Sequence, residues 1–193
     1  MKKTTLACYV VSAMACFSIG MNTANATTDS LDLTVVTKVT AGTCSAELQE
    51  NSKTVTDIDF QDVFIPEVIS GNKAKSFNLI LSNCAATPSA ELTLKPASGS
   101  TCDGAAGAGE AFANSSVATP KAAAVAVEVW GSATPKSGTQ LKCKSANAFP
   151  VTIVGKSVTV PLSARLIRDS GKADTDVTAG EFSSQAVFDI TYK

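Results

Sequence analysis

The sequence predicts an all-β protein, an antiparallel β-sandwich with immunoglobulin-like topology built from about eight short strands. Three observations point there. Apolar side chains alternate with polar ones in one short run after another. Turn-rich pieces such as "SGNKAK", "GSATPKSG" and "DSGKADTDVTAG" separate the runs. No segment carries a helical period with caps at its ends.

Taken from the N-terminus, "MKKTTLACYVVSAMACFSIGMNTANATT" has Lys2 and Lys3, an apolar run to Met21, and then Ala24-Asn25-Ala26. This is the order of a secretory signal peptide covering 1–26, with cleavage after Ala26. The run is short for a membrane anchor, and the small-residue site follows it directly. Cys8 and Cys16 would leave with this segment. Next, over 27–41, Leu31, Leu33, Val35, Thr37 and Val39 alternate with polar Asp32, Thr34 and Lys38, which reads as a strand with no hairpin partner before it.

The body of the chain, 42–193, carries further strand patterns over 54–63, 76–84, 90–96, 123–131, 140–145, 156–169 and 181–193. Alanine favours helix in the stretch between Ala105 and Ala126. Gly104, Gly107, Gly109 and Pro120 interrupt it, however, so 99–120 reads as a glycine-rich loop followed by a strand. Trp130 reads as a packing residue. In the last pattern, Phe182, Ser184, Ala186, Phe188, Ile190 and Tyr192 share one mostly apolar face. Nothing after Lys193 is available to pair with that strand, so its outer edge has no cover within the sequence that follows.

Four cysteines remain after the signal segment: Cys44, Cys84, Cys102 and Cys143. An even number in an exported chain implies two disulfides. Three pairings are open, and the chain order suggests Cys44 with Cys84 and Cys102 with Cys143, two loops of similar length that do not cross. Zinc is a poor alternative, because the chain has no C-x-x-C and no histidine.

The absence of histidine also removes Ser-His-Asp, Cys-His and most zinc mechanisms, and no cofactor is expected. Sixteen basic and seventeen acidic residues, without a long block of one sign, leave no footprint for nucleic acid. Asp57 and Asp59 share a strand face by ordinary alternation, and Asp174 and Asp176 lack the spacing of a calcium loop. Ser70 and Lys73 match S-x-x-K, but Gly71 and Asn72 between them favour a turn and no companion motif occurs. Asn114 heads an N-x-S sequon, a pattern too common to weigh. An enzyme is therefore not expected.

Several features together resemble the pilin subunits of the chaperone–usher pathway of Gram-negative bacteria, fimbrial proteins of the type 1-like class. They are the signal peptide, the alternating extension, "GTCSAEL" with Cys44, "FNLILSNC" with Cys84, and the ending "GEFSSQAVFDITYK" with Gly180 near its start and Tyr192 penultimate. The resemblance runs through most of the mature chain. It implies an incomplete immunoglobulin-like sandwich lacking its last strand, preceded by a donor-strand extension. It implies a periplasmic pilus chaperone, an outer-membrane usher and neighbouring pilin subunits as partners, and export through the periplasm to the cell surface. Leu31, Leu33, Val35, Thr37 and Val39 would then be the donor residues. Gly180, Ala186, Phe188, Ile190, Tyr192 and Lys193 would form the acceptor groove and the site of chaperone recognition.

Two features depart from that pattern. Thr37 stands where the family often has glycine, and the Cys102/Cys143 pair is not part of the general pattern, as if stapling a surface insertion. Because the extension is present and there is no room for a receptor-binding domain, the chain looks like a shaft or adaptor subunit supporting adhesion. The rival reading is a self-complemented secreted β-sandwich that folds its own extension in and recognises a glycan or protein through its loops.

Overall fold

A computed structural model of the chain describes Thr37 and residues 42–193. The signal segment 1–26 and the donor residues Leu31, Leu33, Val35 and Val39 lie outside the described residues. The body is a sandwich of two antiparallel sheets. β1 (Ser45–Glu50) and β2 (Lys53–Val55) form a hairpin, with Asn51 and Ser52 at φ 50° and 63° supplying the two-residue turn. β1 then pairs with β3 (Ala74–Ser82), β3 with β9 (Val158–Arg168), β9 with β6 (Val125–Trp130), and β6 with both β5 (Phe112–Ala113) and β7 (Gln140–Leu141). The second sheet has three strands in the order β10 (Ala186–Tyr192), β4 (Ser89–Pro96), β8 (Phe149–Thr152).

The period-two pattern fixes which side of each strand meets the core. Phe77, Leu79 and Leu81 of β3 and Val160, Leu162 and Ala164 of β9 face Ala90, Leu92 and Leu94 of β4, and all nine are buried. The Cys44–Cys84 bridge joins the start of β1 to the end of β3, where these strands already lie side by side. A smaller cluster of Val68, Ala122, Val125, Leu166 and Val177 closes one end.

Several elements differ from the sequence reading: β5 lies within 99–120, read as a loop, β8 falls where no strand was read, and β10 begins only at Ala186 rather than at 181. Residues 65–70 form a short helix, α1 (Ile65–Ser70), too brief for its period to stand out. Its signals are local: Pro66 in the first turn, the Glu67 carboxylate accepting the Phe64 N–H at 2.8 Å, and Gly71 at φ 63° closing the C-terminus. Ser70 Oγ donates to Glu67 O and Lys73 Nζ to Asp62 O, so the S-x-x-K pair shares no chemistry. The stretch 54–63 is strand only to Val55. Beyond it the chain bends at Thr56 and Asp57, and further on Gln61 takes a positive φ and donates its N–H to Asp59 Oδ1. Ile58, Phe60 and Val63 still turn toward the core, so the alternation was real although the ladder was not.

The Cys102–Cys143 bridge joins the start of the loop between β4 and β6 to the segment after β7. Asp103 beside it is 2% exposed; its carboxylate accepts the N–H groups of Ala111 and Ser170 at 2.9 and 3.0 Å. A Cβ on Gly109 would stand 1.9 Å from Asp103 Oδ1, so only glycine fits there. Glu110 accepts both the N–H and the Oγ–H of Ser145, and these bonds hold its carboxyl below the usual range. Asn114 is also committed: Nδ2 donates to Ala122 O and Glu181 O, while Oδ1 accepts from Ser116 N and Ser183 N.

Replacing Asp103→Ala removes the acceptor of two N–H groups in or beside the core and should cost about 2–4 kcal/mol in denaturant unfolding, with Asp103→Asn costing about half as much. Asn114→Ala should speed amide hydrogen exchange at Ser183 roughly tenfold while leaving Thr191, held by β4, unchanged.

Candidate functional site: the groove beside the last strand

β10 is hydrogen-bonded along one edge only among the described residues. Its register with β4 runs from Ala186 opposite Pro96 to Tyr192 opposite Ala90. The same edge continues outward, with Gln185 O accepting Ala97 N and Lys193 N donating to Ser89 O, both at 3.0 Å. These odd-numbered residues therefore turn their backbone groups toward β4. Strand alternation directs those of Ser184, Ala186, Phe188, Ile190 and Tyr192 toward the other edge.

The side chains of the same even-numbered residues face inward. Phe188, Ile190 and Tyr192 are half-buried against the main core, whereas Val187, Asp189 and Thr191 point out, Asp189 pairing with Lys95 at 2.8 Å. Tyr192 Oη donates to Cys44 O at 3.2 Å, tying this end of the strand to the first disulfide. Alongside lies a groove of about 930 Å³. Phe77, Leu94, Phe112, Val127 and Leu166 line its base, 56–63 with Ile65 and Val68 form one wall, and 177–186 with Phe188 form the other.

Ala186 and Phe188 line this groove, and Ile190 and Tyr192 continue the same face of β10. Gly180 lies at its far end with φ 150°, and a Cβ there would stand 2.5 Å from Ala122 N; a side chain would push the C-terminal segment off the 120–122 loop. Lys193 ends the strand with its ammonium on Glu91. Thr37 is exposed. Just after the extension, Gly42 approaches the body so closely that a Cβ would overlap Ala85 O. Cys102 and Cys143 do not line the groove. The contributions of Ile58, Phe60, Val63, α1 and Ser184 to its walls were not predicted; the Ile58/Phe60 alternation was their only signal, and it was read as a paired strand.

The edge offers a row of backbone donors and acceptors beside the half-buried side chains of Phe188, Ile190 and Tyr192, the kind of edge that β-strand addition uses. Among the described residues no group of three or more Cys, Asp or Glu is placed to hold a metal.

No protein-family model matches the chain. The fimbrial-like protein YadL of Escherichia coli is 42% identical to it over 189 residues, covering 95% of this chain and 92% of that protein. Among solved structures, that of a chaperone–usher pilus aligns with a TM-score of 0.55 at 20% identity, covering 86% of this chain and 97% of its own. The P pilus rod subunit PapA aligns with a TM-score of 0.49 at 18% identity, covering 78% and 99%. At 42% identity to YadL over nearly its whole length, the chain belongs to the fimbrial-like proteins.

Proposed function

We propose that this chain is a shaft or adaptor subunit of a surface fimbria that polymerises by donor-strand exchange and supports adhesion. The observation that carries the reading is that, among the described residues, one edge of β10 is unpaired beside a groove with an apolar base, in a chain whose 27–41 segment alternates Leu31, Leu33, Val35, Thr37 and Val39. In this scheme residues 1–26 direct export and are removed, and 42–193 form the pilin domain. A periplasmic chaperone first covers the groove and reads the Lys193 terminus. At the outer-membrane usher the extension of the next subunit replaces it.

Burying four Leu and Val side chains at about 1.5–3 kcal/mol each, with a ladder of backbone bonds along the edge at about 0.5–1.5 kcal/mol each, is of the order needed to offset the ordering of the segment at about 1–2 kcal/mol per residue. The rival, a self-complemented binding module, has the same sandwich but satisfies the groove within one chain.

Polymer formation separates the two. The full-length exported protein should give ladders on denaturing gels that persist until boiling. Removal of 27–40 should leave only monomers or chaperone complexes. A full-length protein that is a stable monomer free of chaperone would transfer the case to the self-complemented module.

A further inference from the structure

The groove wall that leads into β10 is held by the insertion between β4 and β6. Among the described residues, the backbone groups of Glu181 and Ser183 bond to 114–122. Glu181 N donates to Pro120 O at 2.9 Å and Glu181 O accepts Ala122 N at 3.0 Å, while Ser183 O accepts Ser115 N at 2.7 Å and Ser183 N donates to Asn114 Oδ1 at 3.1 Å. Asn114 Nδ2 adds a second bond to Glu181 O at 2.8 Å, and Ser115 Oγ a second to Ser183 O at 3.0 Å. The paired register with β4 begins only at Ala186. Where this wall stands is therefore decided by where Asn114 and Ser115 stand.

Asn114 and Ser115 in turn follow directly on a segment locked by the Cys102–Cys143 bridge. Cys143 N donates to Glu110 O at 3.0 Å, and Cys102 stands opposite Phe112 in an antiparallel pair. On either side of Cys102, Thr101 O accepts Ala113 N and Asp103 N donates to Ala111 O, both at 2.9 Å. β5 and β7 are two residues each and pair with β6 over two positions each, and ladders this short are marginal by themselves. The disulfide ties the strand opposite β5 to the segment after β7. Phe112 of β5, 1% exposed, lies in the base of the groove. One stretch, 110–115, thus carries the contacts of the bridge, a residue of the groove's base and the two side chains that hold its wall.

The two disulfides serve opposite ends of the last strand. Cys44 O accepts the Tyr192 hydroxyl at one end, and the Cys102–Cys143 bridge acts through Asn114 and Ser115 at the other. We infer that the Cys102–Cys143 bridge is a positioning device for the groove's occupant: through Phe112, Asn114 and Ser115 it fixes the wall at 181–183, and so governs how long an inserted strand is retained. The inference rests on the strand-exchange reading and adds the part of the chain that controls release.

Polymer lifetime tests it in the full-length chain. Cys102→Ala together with Cys143→Ala should speed the release of subunits in guanidinium chloride about tenfold, read as loss of the unboiled ladder with time. Asn114→Ala with the bridge intact should speed release about fivefold, and the three changes together no more than the cysteine pair alone, because both act along one path. Additive effects would overturn that path. Amide hydrogen exchange separates positioning from a loss of overall stability: in polymers of the cysteine variant it should rise at Ser183 and stay unchanged at Thr191, which β4 holds. An equal rise at both positions, or an unchanged release rate, would overturn the positioning role while leaving strand exchange standing. A parent chain that forms no heat-labile polymer would overturn both. If the cysteine variant is not exported, Asn114→Ala decides alone: faster release supports the inference and an unchanged rate overturns it.

Discussion

The rest of the structure is arranged around a strand that, among the described residues, has one bonded edge. β10 is held by β4 along its whole length, yet its inward face, Phe188, Ile190 and Tyr192, extends the main core at the margin of an open groove. A free apolar edge is a hazard for aggregation, and the protein secures the strand from other directions. Tyr192 anchors one end to the carbonyl of a disulfide-bonded residue. At the other, Asn114 grips Glu181 and Ser183, and Gly180 permits the close approach that makes this possible. The edge is therefore presented on a fixed frame, and little ordering of the acceptor remains to be done on binding.

The Cys102–Cys143 insertion plays a separate part. Its internal bonds run through Asp103, Glu110 and Asn114, and of these only Asn114 reaches the segment leading into β10. The bridge fixes the start of the loop, Asp103 folds it over Gly109, and Asn114 transmits that order to 181–183. A loop rich in glycine and alanine would otherwise lose much conformational entropy on folding, which explains why so many of its polar groups are spent on its own backbone. The same expenditure leaves the Asn114 amide no free hydrogen to carry a glycan.

Much of this was legible in the sequence because strand alternation is a local property. Leu79, Leu92, Leu162 and Phe188 could each be assigned a face from their neighbours at two-residue spacing, and Cys44 and Cys84 marked adjacent strand ends. What escaped was set by non-local partners or by single side chains. α1 depends on Pro66, Glu67 and Gly71 rather than on a period. Residues 56–63 keep an alternating pattern but have no ladder, because the backbone bends at Thr56 and Asp57 and turns again at Gln61. The segment 181–185 was read as strand, whereas its bonds go to the 114–122 loop and to Ala97, which no local pattern announces. Ser184 looked like one more polar interruption until the groove gave it a location.

The position of Cys44 gives the proposed joint a direction. Cys44, which follows the 27–41 segment in sequence, accepts the Tyr192 hydroxyl at one end of β10, whereas Gly180 lies at the far end of the groove. Donor and acceptor surfaces are thus different patches at opposite ends of the same subunit, and an interface of that kind is heterologous. Two copies cannot satisfy each other fully through it unless the rotation between them happens to close. In general each addition leaves one extension and one groove unpaired, so growth continues with a fixed polarity. Under the proposed exchange, a fibre is what such a heterologous joint builds.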